Sequence, residues 1–236
     1  MAEKIIGILG GMGPEATIDF FSQIVKGTKV KTDQDHLRIL IDNNPKVPNR
    51  TLAIQGKGTS PLPLLIKSAK TLEKAGVDFI AIPCVTAHYF YGPLQERIKV
   101  PILHIVEETV DYIRARLKRI HKIGLLATTG TLQSDLFQKG FSRSKVDLIL
   151  PDPDTQKGRV MAAIFGKGGI KERGPTEKSK RLILDASRKL IDQGAQAVIA
   201  GCTEIPLVLK DGDLSVPVID SVAILARAAI RKAKGK

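Results

Sequence analysis

Apolar residues along this chain fall into two kinds of stretch. Short unbroken runs such as "RILID" (38–42) and "DFIAI" (78–82) read as buried strands. Between them, "TIDFFSQIVKGT" and "PLLIKSAKTLEKAG" repeat apolar positions every third or fourth residue, the spacing of helices with one buried face. "EKSKRLILDASRKLIDQG" has the same spacing over a greater length and stops at Gly194, a natural helix C-cap. "DSVAILARAAIRKAKGK" closes the chain with one more helix. Strands alternating with helices predict an α/β protein with parallel sheets covered by helices on both faces.

The pattern then repeats. "KIIGILGGMG" from Lys4 and "HKIGLLATTG" from His121 both read as a strand entering a loop of small residues, and Gly7 and Gly124 are 117 positions apart. "LEKAGVDFIAIPC" (72–84) and "LIDQGAQAVIAGC" (190–202) share helix end, glycine, strand and cysteine; both their glycines and their cysteines are 118 apart. "VPILHIVEE" and "VPVIDSVAI" follow at an offset of 116. Matches in the same order at a nearly constant offset indicate an internal duplication. The expectation is two similar doubly wound domains related by pseudo-twofold symmetry. The first comprises residues 1–104 with the returning tail 218–236, and the second residues 105–217.

Composition narrows the class. The chain has 236 residues, 43% hydrophobic and 26% charged, as expected for a globular protein. No apolar run is long enough to span a bilayer, and the N-terminus shows no secretory pattern. With two cysteines the chain is no disulfide scaffold, so free thiols and a cytoplasmic location are expected. The net charge of +13 raises nucleic acid as a partner. The basic residues are scattered, however, and aromatic residues make up 4% with no Trp, so stacking platforms are scarce. A solvated basic surface that attracts small anions accounts for the charge better, and no nucleic-acid partner is expected.

Candidate chemistry centres on Cys84 and Cys202, each placed just after a buried strand, where ligands of parallel α/β sheets bind. If the two copies face one another, both thiols approach one interdomain cleft. The four histidines (36, 88, 104, 121) lack metal-ligand spacing, and there is no CxxC, so no metal site is expected. His88 could serve Cys84 as a base in nucleophilic catalysis, but that leaves Cys202 without a purpose. A thiolate and a thiol on opposite faces of one carbon, removing a proton from one side and supplying one to the other, give both cysteines a role. The competing structural reading is two core cysteines that fill space.

"GILGGMGPEAT" (7–17), "PCVTAH" (83–88) and "GCTEIPL" (201–207) together resemble the aspartate/glutamate racemases that work without pyridoxal phosphate, over nearly the whole chain. The resemblance implies a two-domain α/β homodimer with its active site in the interdomain cleft. It also implies no cofactor, a small dicarboxylic amino acid as substrate (aspartate first, glutamate next), and Cys84 and Cys202 as the acid/base pair. "VPNRT" (47–51) resembles the family segment whose arginine holds a substrate carboxylate, which assigns Arg50. "IFGKGGIKE" (164–172) resembles the segment with the second carboxylate-binding cation, assigning Lys167 with Lys171 as the alternative, and this glycine-rich stretch reads as a lid. Met12 and Gly13 are expected to present backbone groups, Thr86 and Thr203 hydroxyls, and Glu204 to orient its neighbours. Two positions depart from the family pattern: Val85 stands where asparagine is usual, removing a polar contact, and Asn49 where aspartate is common.

Other readings remain at this stage. Gly11, Gly13 and Ala16 satisfy GxGxxA, with Asp42 after the next strand, as in dinucleotide-dependent oxidoreductases. Pro14 inside that loop and the absence of the pattern from the second copy weigh against it. "GKGTS" and "FGKGG" lack Walker spacing. A binding or sensory protein that retains a racemase cleft, or a related isomerase or decarboxylase of dicarboxylic acids, is the remaining alternative.

Overall fold

The computed structural model describes residues 3–142 and 144–235. The predicted domain limits at residues 1 and 236 fall outside the described residues. The chain runs β1 (Ile6–Gly10), α1 (Pro14–Gly27), β2 (Ile39–Asn43), α2 (Arg50–Ile54), α3 (Leu62–Lys74) and β3 (Phe79–Ala81). After a 3₁₀ segment Val85–Phe90 come α4 (Tyr91–Gln95), β4 (Ile102–Leu103) and α5 (Ile105–Arg116). β5 (Lys122–Leu126), α6 (Thr129–Gln133), α7 (Leu136–Phe141), β6 (Asp147–Ile149) and α8 (Pro153–Thr155) follow. A π-helical segment, Gln156–Met161, leads into α9 (Ala162–Phe165), α10 (Ile170–Arg173) and α11 (Glu177–Asp192). The chain ends with β7 (Ala197–Ala200), a 3₁₀ turn Ile205–Leu207, β8 (Val218–Asp220) and α12 (Ser221–Ala233).

Two four-stranded sheets form, in the orders β2-β1-β3-β4 and β6-β5-β7-β8, and every pairing is parallel. The second order is the first with each strand replaced by its counterpart from the duplicated half. The chain divides into two compact units, residues 1–108 with 222–236, and residues 109–221.

Each central strand is buried on both faces, which explains its continuous apolar run. Ile6, Ile8, Leu9, Phe79 and Ile80 are wholly inaccessible in the first unit, as are Ile123, Leu125, Val198 and Ile199 in the second. Burial of each such side chain contributes about 1.5–3 kcal/mol. β2 lies at a sheet edge and leaves Ile41 exposed.

The helices end as the glycines predict. At α11, Gly194 takes φ +95°, its N–H bonds Ile191 O at 2.8 Å, and Ala195 N–H bonds Leu190 O at 3.0 Å. At α3, Gly76 takes φ +83°, with Gly76 N–H on Glu73 O and Val77 N–H on Leu72 O. This paired closure reverses the chain into the following strand and brings β3 and β7 beside β1 and β5. Each parallel sheet gathers at its carboxyl end the loops that follow its strands.

Candidate functional site

In the first unit, the carboxyl ends of β1, β2 and β3 carry the residues of interest. Gly11 adopts φ +90°, and a Cβ there would sit 2.3 Å from the main-chain carbon of Asn44, so the loops after β1 and β2 touch backbone to backbone. Thr17 secures the first loop from inside α1: its Oγ1 accepts Gly11 N–H at 2.9 Å and donates to Gly13 O at 3.1 Å. Pro14 opens α1, where a missing N–H costs nothing. Asn49 caps α2 by accepting Leu52 N–H at 3.1 Å, as an aspartate would, so the departure at this position preserves the local structure.

Capping at Asn49 starts α2 at Arg50. The Arg50 Nη1 donates to the carbonyls of Val47 (3.1 Å) and Pro48 (2.9 Å), and Nη2 donates to Met12 O at 3.3 Å. Nε is buried and has no protein partner. In a guanidinium, Nε–H and one Nη2–H form the two-donor edge that fits a carboxylate. Met12 and Arg50, 38 positions apart, are thereby brought together.

Cys84 follows β3 with extended dihedrals and is 5% exposed; Val85 (2%) and Thr86 (6%) are also buried. His88 does not address the thiol with either ring nitrogen. Nδ1 lies 3.0 Å from the Cys84 carbonyl, while Nε2 meets Ile105 N–H at 3.3 Å. With both nitrogens on main-chain atoms, His88 is not placed to act as the base of a cysteine nucleophile, which corrects the role considered from sequence.

In the second unit, Gly201 packs where a Cβ would lie 2.6 Å from Leu125 Cδ1, and its N–H bonds Leu126 O at 2.8 Å. This close approach sets Cys202 at the end of β7. Cys202 Sγ donates to Glu204 Oε2 at 2.9 Å, and Thr203 Oγ1 donates to the same oxygen at 3.3 Å. Lys171 Nζ pairs with Glu204 Oε1 and stands 5.6 Å over the Phe165 ring. Cys202, Thr203 and Glu204 are all buried. Burial pushes the Cys202 thiol well above its usual range, the Glu204 charge pushes it further, and the Lys171 charge opposes both.

Of the two lysines considered from sequence, Lys171 joins this cluster. Lys167 is exposed, and its carbonyl accepts from Lys178 Nζ at 3.4 Å. The ion pair between Lys171 and Glu204 spans 33 positions and has no sequence signature. A second feature was also unmarked in the sequence. Gln156 Nε2 donates to Ala127 O (3.0 Å) and Thr129 Oγ1 (3.2 Å), and Thr129 N–H meets Met161 Sδ at 3.3 Å. The two ends of the π-helical segment thus hold the loop after β5, the counterpart of the loop that carries Met12.

Compared with known proteins, residues 9–229 match the profile of the Asp/Glu/hydantoin racemases. The chain belongs to this family. The racemase is 32% identical over 232 residues to the broad specificity amino-acid racemase RacX of Bacillus subtilis (strain 168), covering 96% of each chain. Its fold is similar to that of the Picrophilus torridus aspartate racemase, with TM-score 0.81 and 27% identity over 98% of this chain and 94% of that one. An aspartate racemase homologue from Pyrococcus horikoshii OT3 gives TM-score 0.73 and 27% identity over 98% and 99%. The protein is therefore an isomerase of the racemase class. In this racemase no helix among the described residues is long and apolar enough to cross a membrane.

Proposed function

We propose that this racemase inverts the α-carbon of an acidic amino acid without a cofactor, aspartate first and glutamate next, with Cys84 and Cys202 as the two bases. The observation that carries the proposal is the equivalence of the cysteines: each is a free, buried thiol just beyond the second strand of a β1-β3 or β5-β7 pair, at the same place in a duplicated sheet. In one direction a thiolate takes the α-proton, breaking C–H and forming S–H. The thiol on the opposite face gives up its proton to the α-carbon and becomes the thiolate. The reverse direction exchanges the roles, so the enzyme needs one thiol and one thiolate at the start of each turnover. Such a step requires both sulfurs to reach one α-carbon from opposite sides.

The unpartnered Nε of Arg50, on the guanidinium edge it shares with Nη2, supports binding of one substrate carboxylate. Lys171, rather than Lys167, is proposed as the second cation, because its charge already bears on Cys202 and Glu204. Met12, Gly13, Thr86 and Thr203 complete the binding set in this reading, with Glu204 orienting Cys202 and Lys171. The raised Cys202 thiol supports a free enzyme in which Cys202 holds its proton. A broader substrate range is the second reading, favoured by the buried, apolar Val85 beside Cys84 and by the breadth stated for the Bacillus relative. The proposal includes a cytoplasmic homodimer, as the family resemblance implies and two free thiols suit.

The test is incubation of the purified enzyme with L-aspartate, L-glutamate and a panel of neutral amino acids in D2O, following α-deuterium and chirality together. Deuterium entering with inversion is expected for aspartate, and Cys84→Ala and Cys202→Ala should each lower the rate by about 10³-fold or more. Full activity in either variant would overturn the two-base reading. Turnover of neutral amino acids alone would favour the broader one.

A further inference from the structure

His88 is 2% exposed and lies in the 3₁₀ segment that follows Cys84. Its ring nitrogens are both occupied by main-chain atoms. Nδ1 is 3.0 Å from the Cys84 carbonyl, and Nε2 receives Ile105 N–H at 3.3 Å and lies 3.4 Å from the Leu103 carbonyl. A carbonyl oxygen only accepts, so the short contact is a bond only when Nδ1 carries the proton. The other tautomer would set a nitrogen lone pair against that oxygen. Acceptance of Ile105 N–H by Nε2 requires the same Nδ1–H tautomer.

The ring is also held neutral. Burial, with the His104 ring 4.8 Å away, lowers its pKa to about 3. Tyr91 packs edge-on against His104, also at 4.8 Å. A side chain that only filled this space would need no polar atoms at all.

We propose that His88 is a positioning residue for racemisation: its Nδ1–H holds the Cys84 carbonyl and thereby fixes the direction in which the Cys84 thiol leaves the main chain. The inference rests on the reading of Cys84 as an acid/base thiol. Cys84 stands at φ −158° and ψ 104°, where an extended strand turns into a 3₁₀ segment, and its carbonyl also receives Ala87 N–H at 3.2 Å. Two donors on one oxygen pin the 84–85 peptide plane and, with ψ of Cys84 held, fix the Cα–Cβ direction from which Sγ extends. Nε2 ties the same ring to Ile105, the first residue of α5, so the cysteine loop is anchored to the element after β4.

The duplicated half solves the same problem differently. The residue 118 positions after His88 is Pro206, which has no side-chain donor, and Cys202 is instead engaged at its sulfur by Glu204. Each cysteine carbonyl accepts one backbone N–H, from Ala87 or Ile205, but the side-chain partner meets Cys84 at its carbonyl and Cys202 at its thiol.

The test compares His88→Leu, which keeps bulk and loses the donor, with His88→Asn, whose Nδ2–H sits as many bonds from Cβ as the imidazole Nδ1–H. Racemisation of both enantiomers of aspartate is measured, together with iodoacetamide alkylation of each cysteine against pH, read by peptide mass spectrometry. A displacement of about 1 Å at a reacting group costs on the order of 10²-fold. H88L is therefore expected to lose about 30- to 100-fold in kcat with KM changed less than about threefold. Its Cys84 alkylation profile should move while that of Cys202 stays as an internal reference. H88N should recover most of both properties.

Wild-type kcat and Cys84 alkylation in H88L would overturn the proposal, as would a folded H88N as impaired as H88L. Should H88L not fold, His88→Gln, whose Nε2 follows the imidazole Nε2 and leaves the Cys84 carbonyl without its side-chain donor, must show the loss instead. Should wild-type protein racemise no form of aspartate, the substrate reading fails, and the alkylation measurement alone still decides the role of His88.

Discussion

Three influences act on the sulfur of Cys202. Burial and the Glu204 carboxylate both disfavour the thiolate, and the Lys171 ammonium favours it. Replacing Glu204 by Gln removes a negative charge 2.9 Å from the sulfur, leaving burial and the lysine. The midpoint of Cys202 alkylation against pH should therefore move down in E204Q, while that of Cys84 stays in place; an unchanged or raised Cys202 midpoint would remove Glu204 from the control of this thiol. At this scale local spacing in the sequence marks the two cysteines, while Arg50 and Glu204 enter through the resemblance to the racemase family. That resemblance put Lys167 ahead of Lys171, whereas the pairing depends on which ammonium reaches a carboxylate 33 or more positions away. The sequence did not show that the imidazole of His88 turns to the Cys84 carbonyl rather than to the thiol.

The elements carry these residues only because their ends are specified. Gly11 opens the turn after β1 with φ +90° and its α-carbon against the Asn44 main chain. Gly11→Ala places a methyl group 2.3 Å from a backbone carbon and demands a left-handed conformation of a residue that resists it. A loss of at least about 1–3 kcal/mol in chemical denaturation is expected. The loop from Asn44 to Arg50 should also shift, raising KM for a carboxylate substrate; an unaffected KM would separate this turn from substrate binding. Strands and long helices were legible because two-sided burial and one-sided burial leave different apolar periods. The π-helical segment Gln156–Met161 was not, since a change from i−4 to i−5 bonding leaves no comparable mark on the pattern. Its tie to the loop after β5 arises only in the tertiary fold.

Across the whole molecule, acid should be the weak direction. His88 and His104 are held neutral in the fold, with pKa values lowered mainly by burial to about 3 and about 4. The unfolded chain would protonate both near 6.5, so between that pH and about 4 the unfolded state binds more protons than the folded one. The stability these groups contribute is complete above about 6.5 and is lost as pH falls through the folded values, at up to about 1.4 kcal/mol per pH unit for each histidine. Thermal unfolding from pH 7.5 to 4 should show a steady fall in Tm, lessened in His104→Leu; a flat profile would contradict neutral burial. What the sequence determined by itself was the duplication, the parallel strand-helix alternation, the helix ends at Gly76 and Gly194, and the equivalence of Cys84 and Cys202. These follow from local periodicity and from self-comparison at an offset near 118. Tertiary structure alone decided which distant groups meet: Met12 with Arg50, Lys171 with Glu204, and His88 with the Cys84 main chain and Ile105. Parallel pairing brings strand ends together across tens of residues, and the contacts made there depend on side-chain reach and main-chain direction, which no linear pattern encodes.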